Sequence, residues 1–251
     1  MNTIARIGIV ALAASLLAAR PDAKADLKAA AKKLQDAGGY AWTSVSKSEG
    51  GGGGGNGNRN RFQPGPVEGK LDKDGLVWIK TTQGDNSTEA FLKAGKSVVK
   101  TADGWKAGSE FDLTAQGGQG RRDPAMGLVR RLQNFKAPAV EAESLVDKLG
   151  DVKDEGDGVF SSTLSEDGAK ELLTRNGRPG GNGNGPQVTD PKASVKMWLK
   201  DGVLVKYELN TQGKMSFNNN EVTINRTTTV EFKDLGAVKI EVPEEAKKKL
   251  D

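Results

Sequence analysis

The stretch that decides the fold reads SVKMWLKDG at 194–202, VLVKYELNTQG at 203–213, EVTINRTTTVEF at 221–232 and AVKIEV at 237–242. Apolar residues alternate with polar ones in each run, which predicts strands with one apolar face. Asp201-Gly202 joins the first two runs, and both residues tolerate the positive φ of a two-residue hairpin turn. We therefore predict a meander of four antiparallel strands, whose apolar face must be covered by protein or by a ligand.

Strand and helix patterns also follow one another upstream of this meander. Alternating runs joined by short turns predict strands at 40–48, hairpins between Val67 and Val99, and two strands between Val152 and Leu164. Because these strands leave no room for crossover helices, we predict antiparallel pairing. Helical spacing predicts helices at 26–36, after Asp123-Pro124, after Pro138 and at 165–175. The predicted fold class is α+β: a large curved antiparallel sheet, or incomplete β-barrel, with helices covering its concave face.

The amino terminus has the pattern of a secretory signal peptide. A basic residue precedes the apolar run at 7–19, and Ala23-Lys24-Ala25 supplies small residues before a cleavage site at Asp26. The apolar run is shorter than the ~20 residues that span a bilayer, so a transmembrane helix is the weaker alternative. We predict a signal peptide at 1–25 and one exported, soluble, periplasmic domain at 26–251.

Two segments rich in glycine and asparagine interrupt this domain, at 50–60 and 176–187. Neither can bury apolar surface, which predicts loops. The first has some likeness to a phosphate-binding loop. However, no Lys-Ser or Lys-Thr follows its glycines, and no helix pattern begins after them.

The composition excludes several kinds of chemistry. The chain has no cysteine and no histidine. Disulfides, serine-histidine triads, cysteine-histidine dyads and zinc sites built from these residues are therefore excluded. The net charge of +4 comes without a basic stripe of interleaved aromatic residues, so we predict no nucleic-acid partner.

Carboxylate, lysine or tyrosine chemistry is left open by this composition. An enzyme of that kind would need such side chains to converge in a cavity with perturbed pKa values. The acids lie mainly in predicted turns and helix caps, where turn chemistry explains them, for instance Asp74, Asp103, Asp157 and Asp201. We therefore predict no enzymatic activity, no catalytic residues, no metal and no cofactor.

The chain resembles the outer-membrane lipoprotein carrier superfamily in three features. These are the order of elements, the run VKMWLKDGVLVKYEL at 195–209 and the run TTTVEFKDLGAVKIEVPEE at 227–245. This superfamily includes carriers of the LolA, LolB, LppX and LprG types and regulators of the RseB type. The resemblance spans most of 26–243 and is strongest from Val195 onward. It implies an incomplete antiparallel barrel wrapped around helices, with a hydrophobic cavity between them.

The function that this resemblance implies is carriage or binding of lipid or acylated lipoprotein, without chemistry. It also implies transient contact with donor and acceptor proteins at membranes. Acyl chains in such a cavity would be held by burial, at about 0.8 kcal/mol per methylene group. The alternative is an envelope sensor or scaffold that binds a partner protein through the same sheet.

The residues predicted to line the cavity are large and apolar or aromatic. Ordinary packing between sheet and helices is the competing explanation for each of them, and methionine in particular suits both roles. The predicted set is Trp78, Phe91, Trp105, Met126, Val129, Leu132, Met197, Val205 and Tyr207.

Overall fold

A computed structural model describes residues 23–49, 65–113, 123–175, 187–217 and 220–250. The predicted loops at 50–60 and 176–187 lie outside these ranges, apart from Gln187, which begins a strand. In chain order the elements are α1 (Ala23–Gln35), β1 (Gly39–Ser48), β2 (Val67–Asp72), β3 (Val77–Gln83), β4 (Asn86–Lys93), β5 (Lys96–Thr101), β6 (Gly104–Ala107), a 3₁₀ turn (Gly108–Glu110), α2 (Pro124–Gln133), α3 (Pro138–Asp147), β7 (Lys153–Gly156), β8 (Val159–Thr163), α4 (Glu166–Arg175), β9 (Gln187–Lys200), β10 (Val203–Phe217), β11 (Asn220–Lys233) and α5 (Glu244–Leu250).

The described strands form one open antiparallel sheet of eleven strands, in the order β6-β5-β4-β3-β2-β1-β11-β10-β9-β8-β7. Pairing of β1 with β11 joins the amino-terminal hairpins to the carboxy-terminal meander. The sheet does not close, because β6 and β7 lie at its two edges. The predicted fold class, an α+β protein with a large open antiparallel sheet, is confirmed.

The helices α1 to α4 pack on one face of this sheet, which we call the inner face. α1 contacts β9 and β10, α2 contacts β4 and β5, and α4 contacts β9 and β10, while α3 packs against α1. The inner face carries the larger hydrophobic core, which includes Trp42, Met197, Tyr207 and Val230. The opposite side is called the outer face.

Local sequence chemistry explains the hairpin turns. Asp201 and Gly202 have φ values of 53° and 72°, and Ala94 and Gly95 have φ values of 48° and 82°. Positive φ at both central residues matches the twist of antiparallel strands, so these turns bring each strand back beside the previous one. The turn predicted at Asp201-Gly202 is confirmed, and Ala94-Gly95 forms a turn of the same kind in the region of predicted hairpins between Val67 and Val99.

α1 begins three residues before the predicted signal-peptide cleavage site. Ala23 is fully buried, and Lys24 Nζ donates hydrogen bonds to the carbonyl oxygens of Asp147 and Leu149 at 3.1 and 3.0 Å. Cleavage before Asp26 would remove these contacts from the helix. The remainder of the predicted signal lies in residues 1–22, outside the described ranges. In those ranges every helix is too short or too polar to span a bilayer.

The meander has three strands, so the predicted fourth strand at 237–242 is wrong. The reason is that β11 is already paired on both sides, with β1 and with β10. No free strand edge is left beside it for the chain that follows. Asp234 turns the chain with a φ of 56°, and the amide of Gly236 donates to the carbonyl oxygen of Gly39 at 2.8 Å.

A β-bulge in β10 changes which residues face the core. The register with β9 shifts between Leu204 and Lys206, so the intervening Val205 has no partner opposite it. Leu204 is buried and Val205 is only partly buried. The predicted alternation of Val203, Val205 and Tyr207 on one face is therefore wrong, because the bulge inserts an extra residue between the two inward positions.

The carboxy-terminal segment covers the outer face of β3 to β6. Ala246 and Leu250 pack with buried Phe91 and Val98 in a second hydrophobic cluster, which we call the outer cluster. Its other members are Leu76, Trp78, Trp105, Ile240 and Val242. The strands β4 and β5 are thus covered on both faces, by α2 on the inner side and by α5 on the outer side.

Tyr40 links β1 to the start of α3. Its side chain is buried, and its hydroxyl oxygen accepts a hydrogen bond from the amide of Ala139 at 3.2 Å. Burial raises the pKa of Tyr40 from its ordinary value of 10.0 to about 12. Because the neutral phenol is favoured in the fold, Tyr40 resists ionisation until the pH is well above that at which an exposed tyrosine ionises.

We expect Tyr40→Phe to change the pH dependence of stability. Between pH 10 and 12 the unfolded tyrosine ionises while the folded one does not, so the free energy of unfolding falls by up to about 1.4 kcal/mol per pH unit. The phenylalanine variant lacks this pH-dependent fall in the free energy of unfolding. At neutral pH it is about 1–3 kcal/mol less stable than the wild type, because the Ala139 amide loses its hydrogen-bond partner. Urea unfolding of both proteins from pH 7 to 11.5 measures this, and equal slopes would contradict it.

Candidate functional site

Four of the residues predicted to line a cavity are packed in the inner-face core. Val129 and Leu132 on α2, with Met197 and Tyr207 on the sheet, are 1%, 3%, 1% and 4% exposed. All four belong to the same hydrophobic cluster. A ligand would reach them only if a helix moved away from the sheet.

Three other predicted residues lie on the opposite side of the sheet. Trp78, Phe91 and Trp105 belong to the outer cluster under the carboxy-terminal segment, where the rings of Phe91 and Trp105 lie 5.2 Å apart. Met126 and Val205 are partly buried. The structure therefore does not bring the nine predicted residues together around one cavity, and their contact with a ligand stays a prediction.

A different part of the inner face is partly exposed, near the hairpin between β10 and β11. The strand register places Met215 opposite both Val222 and Val188, and Gly213 opposite Ile224. Val188, Met215 and Ile224 are partly buried, and Val222 is 43% exposed. These apolar side chains lie on three neighbouring strands and form a continuous surface.

Strand alternation places this surface on the inner face. Val230 and Phe232 of β11 are buried in the inner-face core, and residues at every second position share their face. Val222, Ile224 and Arg226 follow at that spacing. We call Val188, Met215, Val222, Ile224 and Arg226 the distal patch.

The helix α4 forms the border between the distal patch and the core. A β-carbon added to Gly213 would lie 2.7 Å from Cδ1 of Leu173, so the glycine lets the leucine side chain lie against the strand. Leu209, two inward positions before Gly213, packs against the core. The distal patch is thus continuous with the inner-face core.

Arg226 is the charged member of the distal patch. It lies opposite Ser48 of β1 and Thr211 of β10. Its side chain is partly buried, and among the described residues its Nε atom is buried without a hydrogen-bond partner. A buried donor without a partner typically costs about 1–3 kcal/mol, and more when the group is charged.

Two hydroxyl groups make the surface next to Arg226 polar. Ser46 Oγ and Thr228 Oγ1 lie 2.9 Å apart across β1 and β11, and they share the inner face with Arg226. In the described parts of β1, β10 and β11, Arg226 is the one charged residue on this face. The patch therefore combines an apolar strip with a single cation.

The acids with shifted pKa values lie away from this site. Hydrogen bonds from Lys249 and Lys196 lower the pKa of Glu110 and of Glu155, respectively, and both pairs are exposed. Such shifts are those of surface ion pairs and do not indicate a general acid or base. Among the described residues, no group of three or more acids is placed to hold a metal ion.

A surface groove of about 450 Å³ lies near the start of α4. It includes Asp190, where β9 is bulged and φ is 52°. Charged residues of both signs line it, so it is a poor environment for an acyl chain. The lining residues are Thr163, Leu164, Glu166, Asp190, Pro191, Lys192 and Ala193.

No protein-family model matches this chain, and no curated protein matches its sequence. The resemblance to lipoprotein carriers therefore depends on the runs at 195–209 and 227–245 and on the order of elements.

Sequence reasoning missed Arg226, although it follows Val222 and Ile224 at strand spacing. The signal that could have identified it is a charge in the middle of an otherwise apolar strand face. Without the pairing of β11 with β1, however, the sequence does not show whether that face is buried or open to solvent.

Proposed function

We propose that the protein binds a lipid-like amphiphile on the inner face of its sheet, as a carrier or binder without chemistry. The observation that supports this proposal best is the distal patch, an apolar strip on three strands that continues into the core. An acyl chain on this strip would gain free energy by burial, at about 0.8 kcal/mol per methylene group.

The dimensions of the patch suit one acyl chain. From Val222 to Arg226 the patch extends over about 13 Å along β11, at about 3.3 Å per residue. One leaflet of a bilayer has a hydrocarbon depth of about 15 Å. An acyl chain lying along β11 would therefore contact the apolar side chains of the patch. Its polar end would lie near Arg226 or near the hairpin between β10 and β11.

The proposal includes export. A periplasmic location, and transient contact with donor and acceptor proteins at membranes, agree with the signal pattern at the amino terminus and with the resemblance to lipoprotein carriers. The cargo is then lipid or the acylated end of a lipoprotein.

We expect Val222→Asp to weaken binding of an acyl probe by about tenfold or more, because it places a charge within the apolar strip. Val45→Asp is the matched control: Val45 is 40% exposed, close to the 43% of Val222, but lies on the outer face of β1. The measurement is titration with a fluorescent fatty acid, with native mass spectrometry of protein purified without detergent.

Equal weakening by both substitutions would contradict a role for the distal patch. A wild-type protein that carries no acyl species and takes up no probe would overturn the carrier proposal. Specific capture of a partner protein that Val222→Asp abolishes would then favour the sensor or scaffold alternative.

A further inference from the structure

We infer that the distal patch selects amphiphiles with an anionic head group, carboxylate or phosphate, which binds the guanidinium group of Arg226. This inference rests on the proposed function and names the ligand class of the same site. The observation that carries it is the buried Nε atom of Arg226, which has no hydrogen-bond partner among the described residues.

The charge of Arg226 is not neutralised by the acids nearest to it on β11. Glu221 and Glu231 each lie five positions from Arg226 along β11, and an odd offset places them on the outer face. There they form ion pairs with Lys214 at 3.4 Å and with Lys206 at 3.1 Å. Among the described residues, the guanidinium group therefore has no acidic partner on its own face.

A partly buried cation of this kind is stabilised by an anion. Arginine presents its N–H donors in a planar fork that fits carboxylate and phosphate oxygens in a bidentate way. Removal from water strengthens this attraction, and an unpaired buried charge is costly. The anionic head group of an amphiphile would pair with the guanidinium group, and its acyl chain would cover the apolar strip.

The neighbouring hydroxyl groups are compatible with this arrangement. The Ser46 and Thr228 hydroxyls already bond to each other, and Thr211 Oγ1 donates to the carbonyl oxygen of Arg226 at 3.5 Å. None of these groups carries a charge that would repel an anion. The preference for an anion therefore depends on Arg226.

The experiment compares three probes with the same number of carbon atoms: hexadecanoate, hexadecyl phosphate and hexadecanol. Their affinities are measured by displacement of a neutral fluorescent lipid probe from the wild-type protein and from Arg226→Gln. We expect the wild type to prefer an anionic probe over hexadecanol, and Arg226→Gln to lose about tenfold or more in affinity for that anion. Affinity for hexadecanol stays unchanged.

Arg226→Lys and Lys214→Gln are the control variants. The lysine variant retains the charge without the fork, so it recovers part of the lost affinity. Lys214→Gln removes a cation from the outer face of the adjacent strand and leaves all three affinities unchanged. The two anionic probes distinguish a carboxylate ligand from a phosphate ligand.

The outcomes separate this inference from the proposed function. A wild-type protein that binds all three probes equally, or an Arg226→Gln variant that loses affinity for all three alike, overturns the anion selectivity and leaves lipid binding standing. A wild-type protein that binds none of them and does not bind the neutral fluorescent probe overturns both.

Discussion

Removal of residues 244–251 is expected to lower the free energy of unfolding by about 3–5 kcal/mol, because it exposes an apolar surface on the outer face. In the intact protein Ala246 and Leu250 pack with Phe91 and Val98, which are 3% and 0% exposed. For a domain of this size the midpoint of thermal unfolding should fall by about 10 °C. Urea and thermal unfolding measure the loss, and binding of a hydrophobic dye reports the exposed cluster.

The substitution Lys249→Gln separates the apolar from the charged contribution of residues 244–251 to the free energy of unfolding. Lys249 Nζ lies 2.7 Å from Glu110 Oε1, but the two side chains are 36% and 45% exposed. Solvent screens an ion pair this exposed, so its loss should be a small part of the effect of truncation. A truncated protein as stable as the full chain would show that the carboxy-terminal segment does not cover the sheet in solution.

The outer cluster also shows where prediction from the sequence stops. After Pro243 the sequence has acids first and lysines last, a pattern that predicts a terminal helical turn, and α5 is that turn. Nothing local indicates which surface Leu250 contacts, since its partners Phe91 and Val98 are more than a hundred residues away in the sequence. The sequence therefore predicts Trp78 and Trp105 in the lining of an inner cavity, whereas they lie in the outer cluster.

The same limit applies to the centre of the sheet. Alternation and turn residues predict β3, β4 and β5 and the hairpin of β9 with β10, because these features are local. The pairing of β1 with β11, such as Trp42 with Phe232, joins opposite ends of the chain and has no local signal. This pairing fills the edge of β11 that β10 leaves free, excludes the predicted fourth strand and places Arg226 beside Ser48.

Trp42 needs one particular glycine on the neighbouring strand. A β-carbon at Gly69 of β2 would lie 2.0 Å from Cζ2 of Trp42, so the indole lies directly over the glycine. The indole also stacks on Phe135, with ring centroids 6.1 Å apart, and contacts Tyr40 at 5.8 Å. The ring is held on several sides and has little room to move away from an added methyl group.

Gly69→Ala is therefore expected to destabilise the protein by about 2–3 kcal/mol through overpacking, and Gly69→Val by more. Gly127→Ala is the matched control, since a β-carbon there meets nothing within 4 Å and Gly127 is exposed on α2. In a helix, alanine is favoured over glycine by up to about 1 kcal/mol, so this substitution should stabilise the protein. The same chemical change should thus have opposite signs at the two positions, measured by urea unfolding.

A double-mutant cycle tests whether the cost at Gly69 comes from the indole. Trp42→Ala alone should cost about 3–5 kcal/mol, since it leaves a cavity beside Phe135. In the Trp42→Ala background, Gly69→Ala should cost much less than in the wild type, because the atoms that it would displace are gone. Additive effects of the two substitutions would show that the cost at Gly69 does not come from contact with the indole of Trp42.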